Sequence, residues 1–295
     1  MLIVKKETIQ KRTSISNDLM HYIYKHIDTD INLDELAETF SISKFHMHKI
    51  FKETFGRNIY ETIKSIRLQK ASTLLLTNSS STISNISLSC GYSSQTSFMR
   101  AFKKRFSMTP KEWRKGGDKR YSQTLLISSP YASSSTASFE DITPTFVKMP
   151  VMHAYYIRHT AYEKNIRSTW QKLQVWLLSS DIKEYTLLSL FHDNPAVTPL
   201  VECQHVACVS VKEELSDSDK NTLPQLYISE GVYAKFDLEG KRGDILKFIN
   251  WIYHEWLPKS DYVTTIRPPY AIYRKHHHLS EDERFDMSFY LPVTL

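Results

Sequence analysis

The residues best suited to chemistry in this 295-residue sequence lie between Gly91 and Pro110, GYSSQTSFMRAFKKRFSMTP. Phe98, Ala101, Phe102 and Phe106 recur there at helical spacing and form one apolar stripe. Gln95, Thr96, Arg100, Lys103 and Lys104 fall mainly on the opposite side. Ser93 and Ser94 offer N-cap side chains, and Thr109-Pro110 stop the helix. An amide or a guanidinium can pair with a base edge, and lysines can neutralise phosphates. A short helix that buries aromatics and presents these groups outward suits an anionic, grooved surface, and double-stranded DNA is the expected partner.

A second set of such residues comes earlier. Asn32 can cap a short helix, Leu33 to Phe40, followed by a break at Ser41-Ile42-Ser43. A helix from about Ser43 to Thr54 turns Met47, Ile50, Phe51 and Phe55 inward, with Lys44, Phe45, His48, Lys49 and Lys52 outward. This is a helix-turn-helix pattern. The sequence predicts a preceding helix over Ser16 to Ile27, capped by Ser16, and a longer one over Ile59 to Thr77 after Gly56. Ile83 and Ile86 then begin a short helix that ends at Cys90-Gly91, so the unit occurs twice; KIFKETFG closes the first and RAFKKRFS the second. A connecting helix of this length spans about 28 Å. Two reading helices in successive major grooves must sit about 34 Å apart, so such a rod can hold both from one chain.

Charge agrees with this placement. Residues 1–120 carry 21 Lys/Arg and 11 Asp/Glu, and residues 121–295 carry 17 and 21. The basic excess belongs to the first part. Cys90, Cys203 and Cys208 make neither a disulfide framework nor a zinc signature. The opening MLIVKKETIQKR lacks a signal-peptide run, and no stretch approaches a membrane span. A cytoplasmic protein without a membrane partner is expected.

The segments LDELAETFSISKFHMHKIFKETFG, IRLQKASTLLL and ISLSCGYSSQTSFMRAFKKRFSMTPKEWR resemble, in order, the AraC/XylS-type double helix-turn-helix domain over residues 16 to 115. The resemblance implies a transcription regulator with RNA polymerase as a further partner. It places Phe45, His48 and Lys49 at the base-facing positions of the first recognition helix, and Gln95, Thr96 and Arg100 at those of the second. Gln suits adenine, Arg suits guanine, and Phe45 can touch a thymine methyl. Lys44, Lys52, Lys103, Lys104 and Lys111 are expected on phosphates. Lys49 stands where the family often has Arg, and keeps charge without the planar fork. Ser87 stands where it usually has Ala.

Gly116-Gly117 breaks the helical pattern, and residues 122 to 139 are Ser/Thr-rich, reading as a linker with a short apolar contact at Leu125-Leu126-Ile127. Strands follow. The block 152–177 aligns without gaps to 232–257, pairing Ala154 with Ala234, Tyr156 with Phe236, Ile166 with Leu246, and Trp176-Leu177 with Trp256-Leu257. Each copy reads as strand, helix (the first from Tyr162 to Leu178) and a further strand pair. The expected architecture is therefore two domains. The first is an all-α double helix-turn-helix domain at 1–117. A Ser-rich linker at 118–141 joins it to an α+β domain at 142–295, a duplicated strand-helix-strand unit with pseudo-two-fold character.

The second domain is similar to the GyrI-like effector-binding domain. The turn His192-Asp193-Asn194-Pro195, the strand from Gly231 to Gly240, Trp256-Leu257-Pro258 and the closing Tyr290-Leu291-Pro292-Val293 carry that resemblance. It implies a small-molecule effector, or else a protein partner. Tyr156, Trp170, Phe236, Tyr270, Tyr273 and Tyr290 are the candidate aromatic lining, with Asp286 and Ser288 beside them. Relatives that bind cationic drugs often carry glutamates where this chain has Ala271 and Ser288, so a cationic ligand loses its partner here. Asp286 shares the face of Ser288 and is the remaining carboxylate.

His276-His277-His278 has no acidic or Cys ligand at useful spacing and reads as a solvated loop. No G-x-S-x-G elbow, P-loop or dinucleotide fingerprint occurs. No cofactor, metal or catalytic residue is expected, and the protein reads as a non-enzyme. The competing readings of the second domain are a small-molecule hydrolase using Asp286, or a protein-interaction module.

Overall fold

The computed structural model describes residues 2–161, 166–212 and 223–294, which divide into two compact units, Met1–Lys115 and Gly116–Leu295. The first unit is helical: α1 Leu2–Lys25, α2 Leu33–Thr39, α3 Lys44–Phe55, α4 Ile59–Thr77, α5 Ile83–Ser89, α6 Gln95–Phe106 and α7 Pro110–Glu112. Side-chain caps fix most of the starts. Asn32 accepts from the Asp34 N–H, Ser43 from His46, Thr82 from Asn85 and Ser94 from Ser97. Asn58 with Glu61, and Thr109 with Glu112, form reciprocal capping boxes. Gly56 ends α3 in the left-handed region at φ 72°. Ser16 is not a cap: α1 begins far upstream, and the Ser16 hydroxyl donates to the Arg12 carbonyl within the helix.

Half-buried cations close several helix ends. Arg67 donates to the Ile27 and Thr29 carbonyls beyond the end of α1. Lys70 donates to Ser89 at the end of α5, and Arg114 to Leu75, Asn78 and Ser81 around the end of α4. An aromatic train of Tyr92, Phe98, Phe102, Phe106 and Trp113 runs along the buried side of α6, with neighbouring ring centroids 4.5–5.6 Å apart. The Trp113 indole is fully buried and donates to the Ser72 carbonyl at 3.0 Å. Trp113→Phe keeps most of the ring packing but loses that bond, while the Ser72 carbonyl keeps its place in the ladder of α4. It should cost about 0.5–1.5 kcal/mol, read as a lower urea midpoint in equilibrium unfolding.

The second unit is a sheet with helices. Its helices are α8 Asp118–Ser128, α9 Pro130–Ser133, α10 Ile166–Ser179, α11 Arg242–Trp251 and α12 Leu257–Lys259, with a π-helical turn, Ile252–Trp256, between the last two. Its strands are β1 Thr145–Met149, β2 Met152–Thr160, β3 Tyr185–Phe191, β4 Gln204–Val211, β5 Gln225–Ile228, β6 Gly231–Lys241, β7 Val263–Thr264, β8 Tyr270–Lys275 and β9 Arg284–Thr294. Among the described residues all pairings are antiparallel, in the order β1-β6-β9-β8-β3-β4-β2-β5, with β7 on β9. This order reads the same from both ends of the duplication. The two copies, β2-α10-β3-β4 and β6-α11-β8-β9, meet at the central β3–β8 pair. The leading strands are exchanged: β1 pairs with β6 of the second copy, and β5 with β2 of the first. Residues 162–165, where the sequence starts the first repeat helix, lie outside the described residues.

The Ser-rich stretch is not a free linker. It forms α8 and α9 and belongs to the second unit. Asp118 Oδ2 lies 3.0 Å from His254 Nδ1 in a pair almost wholly buried, and Lys119 pairs with Glu255. Lys247 donates to the Ser135 and Ala137 carbonyls, and Phe139 packs on Phe248 and Trp251. The expected contact at Leu125-Leu126-Ile127 is minor, since Ile127 is exposed. The attachment is mostly polar, so it leaves no apolar periodicity to read.

Candidate functional site

The two turn-helix units bring the sequence-selected DNA residues to the surface. Phe45, Lys49, Lys52, Gln95, Thr96, Arg100, Lys103, Lys104 and Lys111 are all exposed. Phe45 is the clearest case, at 79% exposure for a large aromatic in the first turn of α3. Such a side chain gains nothing from the core and is available to an apolar partner group. His48 is half-buried and stacks on the Tyr60 ring with centroids 5.6 Å apart. Burial, then the nearby Lys44 charge, holds its pKa below the usual histidine value. The imidazole is therefore neutral at pH 7. Lys44 is already paired with Asp34 at 2.9 Å, so a phosphate must compete for it. Gln95 sits in the first turn of α6 and Arg100 about one turn further on, while Phe98, Phe102 and Phe106 anchor the buried side.

In the second unit the eight residues selected for an effector pocket do not converge. Strand alternation sends the seven strand residues to opposite faces of the sheet, and Trp170 sits on α10. Tyr156, Tyr270 and Tyr290 belong to a cluster built only from strand residues, where Tyr270 and Tyr290 stack at 4.6 Å. Asp286 and Ser288 share that side. They are tied up in a polar chain: Arg274 donates to Asp286 and to Ser288, and Ser288 donates to Asp237. Burial pushes the Asp237 carboxyl up, but hydrogen bonds from Lys235 and Ser288 outweigh it and leave the pKa below the ordinary range. Trp170, Phe236 and Tyr273 lie on the other face, against the helices. Of these, Phe236 is ordinary core, packed on Phe248 and Trp256.

The helix-covered face holds a cavity of about 70 Å³ that Trp170 and Tyr273 line together with His205, His276, His277, His278 and Arg242. The three consecutive histidines are therefore not a solvated loop. Each is at most 8% exposed, in the turn that follows β8. His276 lies 3.9 Å from the Trp170 ring and 4.3 Å from Tyr273, and it stacks on His277. No group of His, Cys, Asp and Glu among the described residues has metal-binding geometry. Burial is the main cause of the depressed histidine pKa values: His205 falls to about 3 and His278 to about 4, with His276 and His277 also held well below the usual value. Neighbouring histidines and Arg242 add to the effect, so the cluster is uncharged at pH 7.

Comparison with known proteins matches both units. The family model for a helix-turn-helix domain covers residues 36–116, and that for a GyrI-like small molecule binding domain covers 142–294. The xylose operon regulatory protein of Escherichia coli strain K12 is 40% identical over 95 residues, 32% of this chain and 24% of that protein. The right origin-binding protein of the same strain is 35% identical over 104 residues, 35% of this chain and 36% of that protein. The chain thus spans between a quarter and just over a third of the length of these curated relatives. Among solved structures, the C-terminal domain of AraT, a response regulator from Geobacillus stearothermophilus, is 30% identical with a TM-score of 0.33, covering 34% of this chain and 84% of that one. The chain belongs to the GyrI-like small molecule binding family, whose model spans more than half of it, and its first unit carries a match to the helix-turn-helix domain model.

Proposed function

We propose that the protein is a sequence-specific DNA-binding transcription regulator that reads two adjacent major-groove segments and responds to a small molecule bound by its second unit. One observation carries the reading. The same capped turn-helix unit occurs twice, on either side of α4, and each presents an amide, imidazole or cation on its outer helix face while Phe51 and Phe55 in the first and Phe98, Phe102 and Phe106 in the second stay buried. Gln95, Thr96 and Arg100, with Phe45, His48 and Lys49, are the proposed base readers. Lys52, Lys103, Lys104 and Lys111, with Lys44 once released from Asp34, are the proposed phosphate contacts. RNA polymerase is the proposed downstream partner.

The test is fluorescence anisotropy of the full chain on a promoter fragment and on random DNA at several salt concentrations. Arg100→Ala should weaken the preferred site by about 1–3 kcal/mol while leaving random DNA nearly unchanged. Lys103→Ala should weaken both alike and lower the salt slope by about one. Equal affinity of the unaltered protein for promoter and random DNA at every salt concentration would remove direct readout from the proposal.

The hydrolase alternative loses support from Asp286, the one carboxylate available to it. That group is ion-paired with Arg274 on a face away from the cavity. An effector that acts on DNA binding must bind two states of the protein with different affinity, since equal affinity shifts nothing.

A further inference from the structure

Tyr60 belongs neither to the core of the first unit nor to the proposed DNA contacts. It is 59% exposed, yet its ring lies along the His48 imidazole, with centroids 5.6 Å apart and planes 28° apart. The corner that presents it is fixed. Gly56 closes α3 in the left-handed region, and α4 starts at Ile59, which is fully buried. Across that start Asn58 accepts the Glu61 N–H at 2.8 Å, and Glu61 accepts the Asn58 N–H at 3.3 Å. Lys44, one turn before His48 on α3, is held by Asp34 of α2 at 2.9 Å. The imidazole thus has a restrained neighbour along its own helix and an aromatic ring beside it from the next.

The chemistry of the imidazole gives that ring a role. A neutral imidazole offers one donor and one acceptor, so what it reads on a base edge depends on how the ring is turned. Ordering a mobile side chain at an interface lowers affinity by roughly threefold to tenfold. A ring already stacked on His48 meets part of that cost before DNA arrives. Burial does not account for Tyr60, since most of its surface faces water.

Resting on the reading of His48 as a contact to a base edge, we propose that Tyr60 is a positioning residue for sequence readout, its ring fixing the orientation of the His48 imidazole on the outer face of α3. Tyr60 acts through His48 and makes no base contact of its own. Part of the base preference of the first recognition helix therefore comes from α4, outside the turn-helix unit.

The experiment is selection by the full chain from a random duplex library of about 30 base pairs, long enough for two half-sites. Fluorescence anisotropy on the enriched duplex and its single-base variants then gives the base preference at each position. His48→Ala marks the positions that His48 reads. Tyr60→Ala should reduce discrimination at those same positions by roughly threefold to tenfold. It should leave the positions that Arg100→Ala marks unchanged, which also shows that the variant is folded. Tyr60→Phe should keep the whole profile, and Tyr60→Ala/His48→Ala should discriminate no less than His48→Ala alone. An unchanged profile in Tyr60→Ala, where His48→Ala alters it, overturns the proposal. Equal weakening on all duplexes in Tyr60→Phe also overturns it, assigning the hydroxyl to a phosphate. A profile unaltered by His48→Ala but altered by Arg100→Ala overturns the proposal and leaves the second reading helix standing. No enriched sequence at all removes base readout by the protein, and the proposal with it.

Discussion

Lowering the pH from 7.5 to 5.0 should destabilise the second unit by several kcal/mol, through four histidines and before carboxylate titration begins. His205, His276, His277 and His278 are buried and neutral, with pKa values held down first by desolvation. The charged groups facing them reinforce this: His159 and the cluster itself around His205, Arg242 beside His277 and His278, and Arg167 beside His278. In the unfolded chain each titrates near 6.5. Between 6.5 and the folded values the unfolded state binds more protons, so stability rises with pH across that window. It is complete above about 6.5 and falls as the pH drops toward 4. At pH 5 the loss is about 2 kcal/mol for each such histidine, less where they couple. Summed over the cluster this rivals the ~5–15 kcal/mol stability of a typical domain. Carboxylates with lowered values, Asp237 and Glu255 among them, contribute only below about pH 4.5. Urea midpoints measured by far-ultraviolet circular dichroism at pH 7.5, 6.0 and 5.0 check the effect. His205→Leu should make the pH dependence shallower, and a midpoint independent of pH across this range would refute the account.

That prediction was not legible in the sequence, and the reason is physical. Three adjacent histidines have no hydrophobic period, and their burial depends on Trp170 and Tyr273 arriving from distant elements. Apart from α1, which begins far upstream of the expected Ser16 start, the helices of the first unit were legible nearly to the residue. Its cores repeat at 3.6 residues, and its starts carry Asn, Ser or Thr caps whose side chains bond as the residue types require. The duplicated sheet was legible as a repeat, but the exchange of β1 and β5 was not, because pairing partners leave no local mark. The pocket was misread where a signal did exist. Tyr270 and Tyr273 are three residues apart on one strand, so alternation alone puts them on opposite faces. The same rule separates Tyr290 from its core neighbours Phe289 and Leu291.

The second large effect concerns how the Ser-rich segment is held. His254→Ala should destabilise the second unit by about 3–5 kcal/mol, because it leaves the Asp118 carboxyl buried without its partner. Both side chains are at most 5% exposed, so water cannot replace the lost contact without opening the structure. The neighbouring attachments are weaker. The Lys119–Glu255 pair is largely exposed and is worth about 1 kcal/mol or less. The Phe139 contacts lie some distance along the chain, so α8 should detach first. Tryptic cleavage at Lys119 and Arg120 should then accelerate well before global unfolding. Asp118→Asn/His254→Leu, which removes both titratable groups, should cost clearly less than His254→Ala alone, since no lone carboxylate remains. Loss of less than about 1 kcal/mol in His254→Ala, with unchanged cleavage, would mean that the segment is held by Phe139 and the Lys247 contacts alone. In the expected case the stretch between the two units is a docked element whose release has a definite cost, and any ligand that perturbs α11 acts on the same helix that holds Ser135, Ala137 and Phe139.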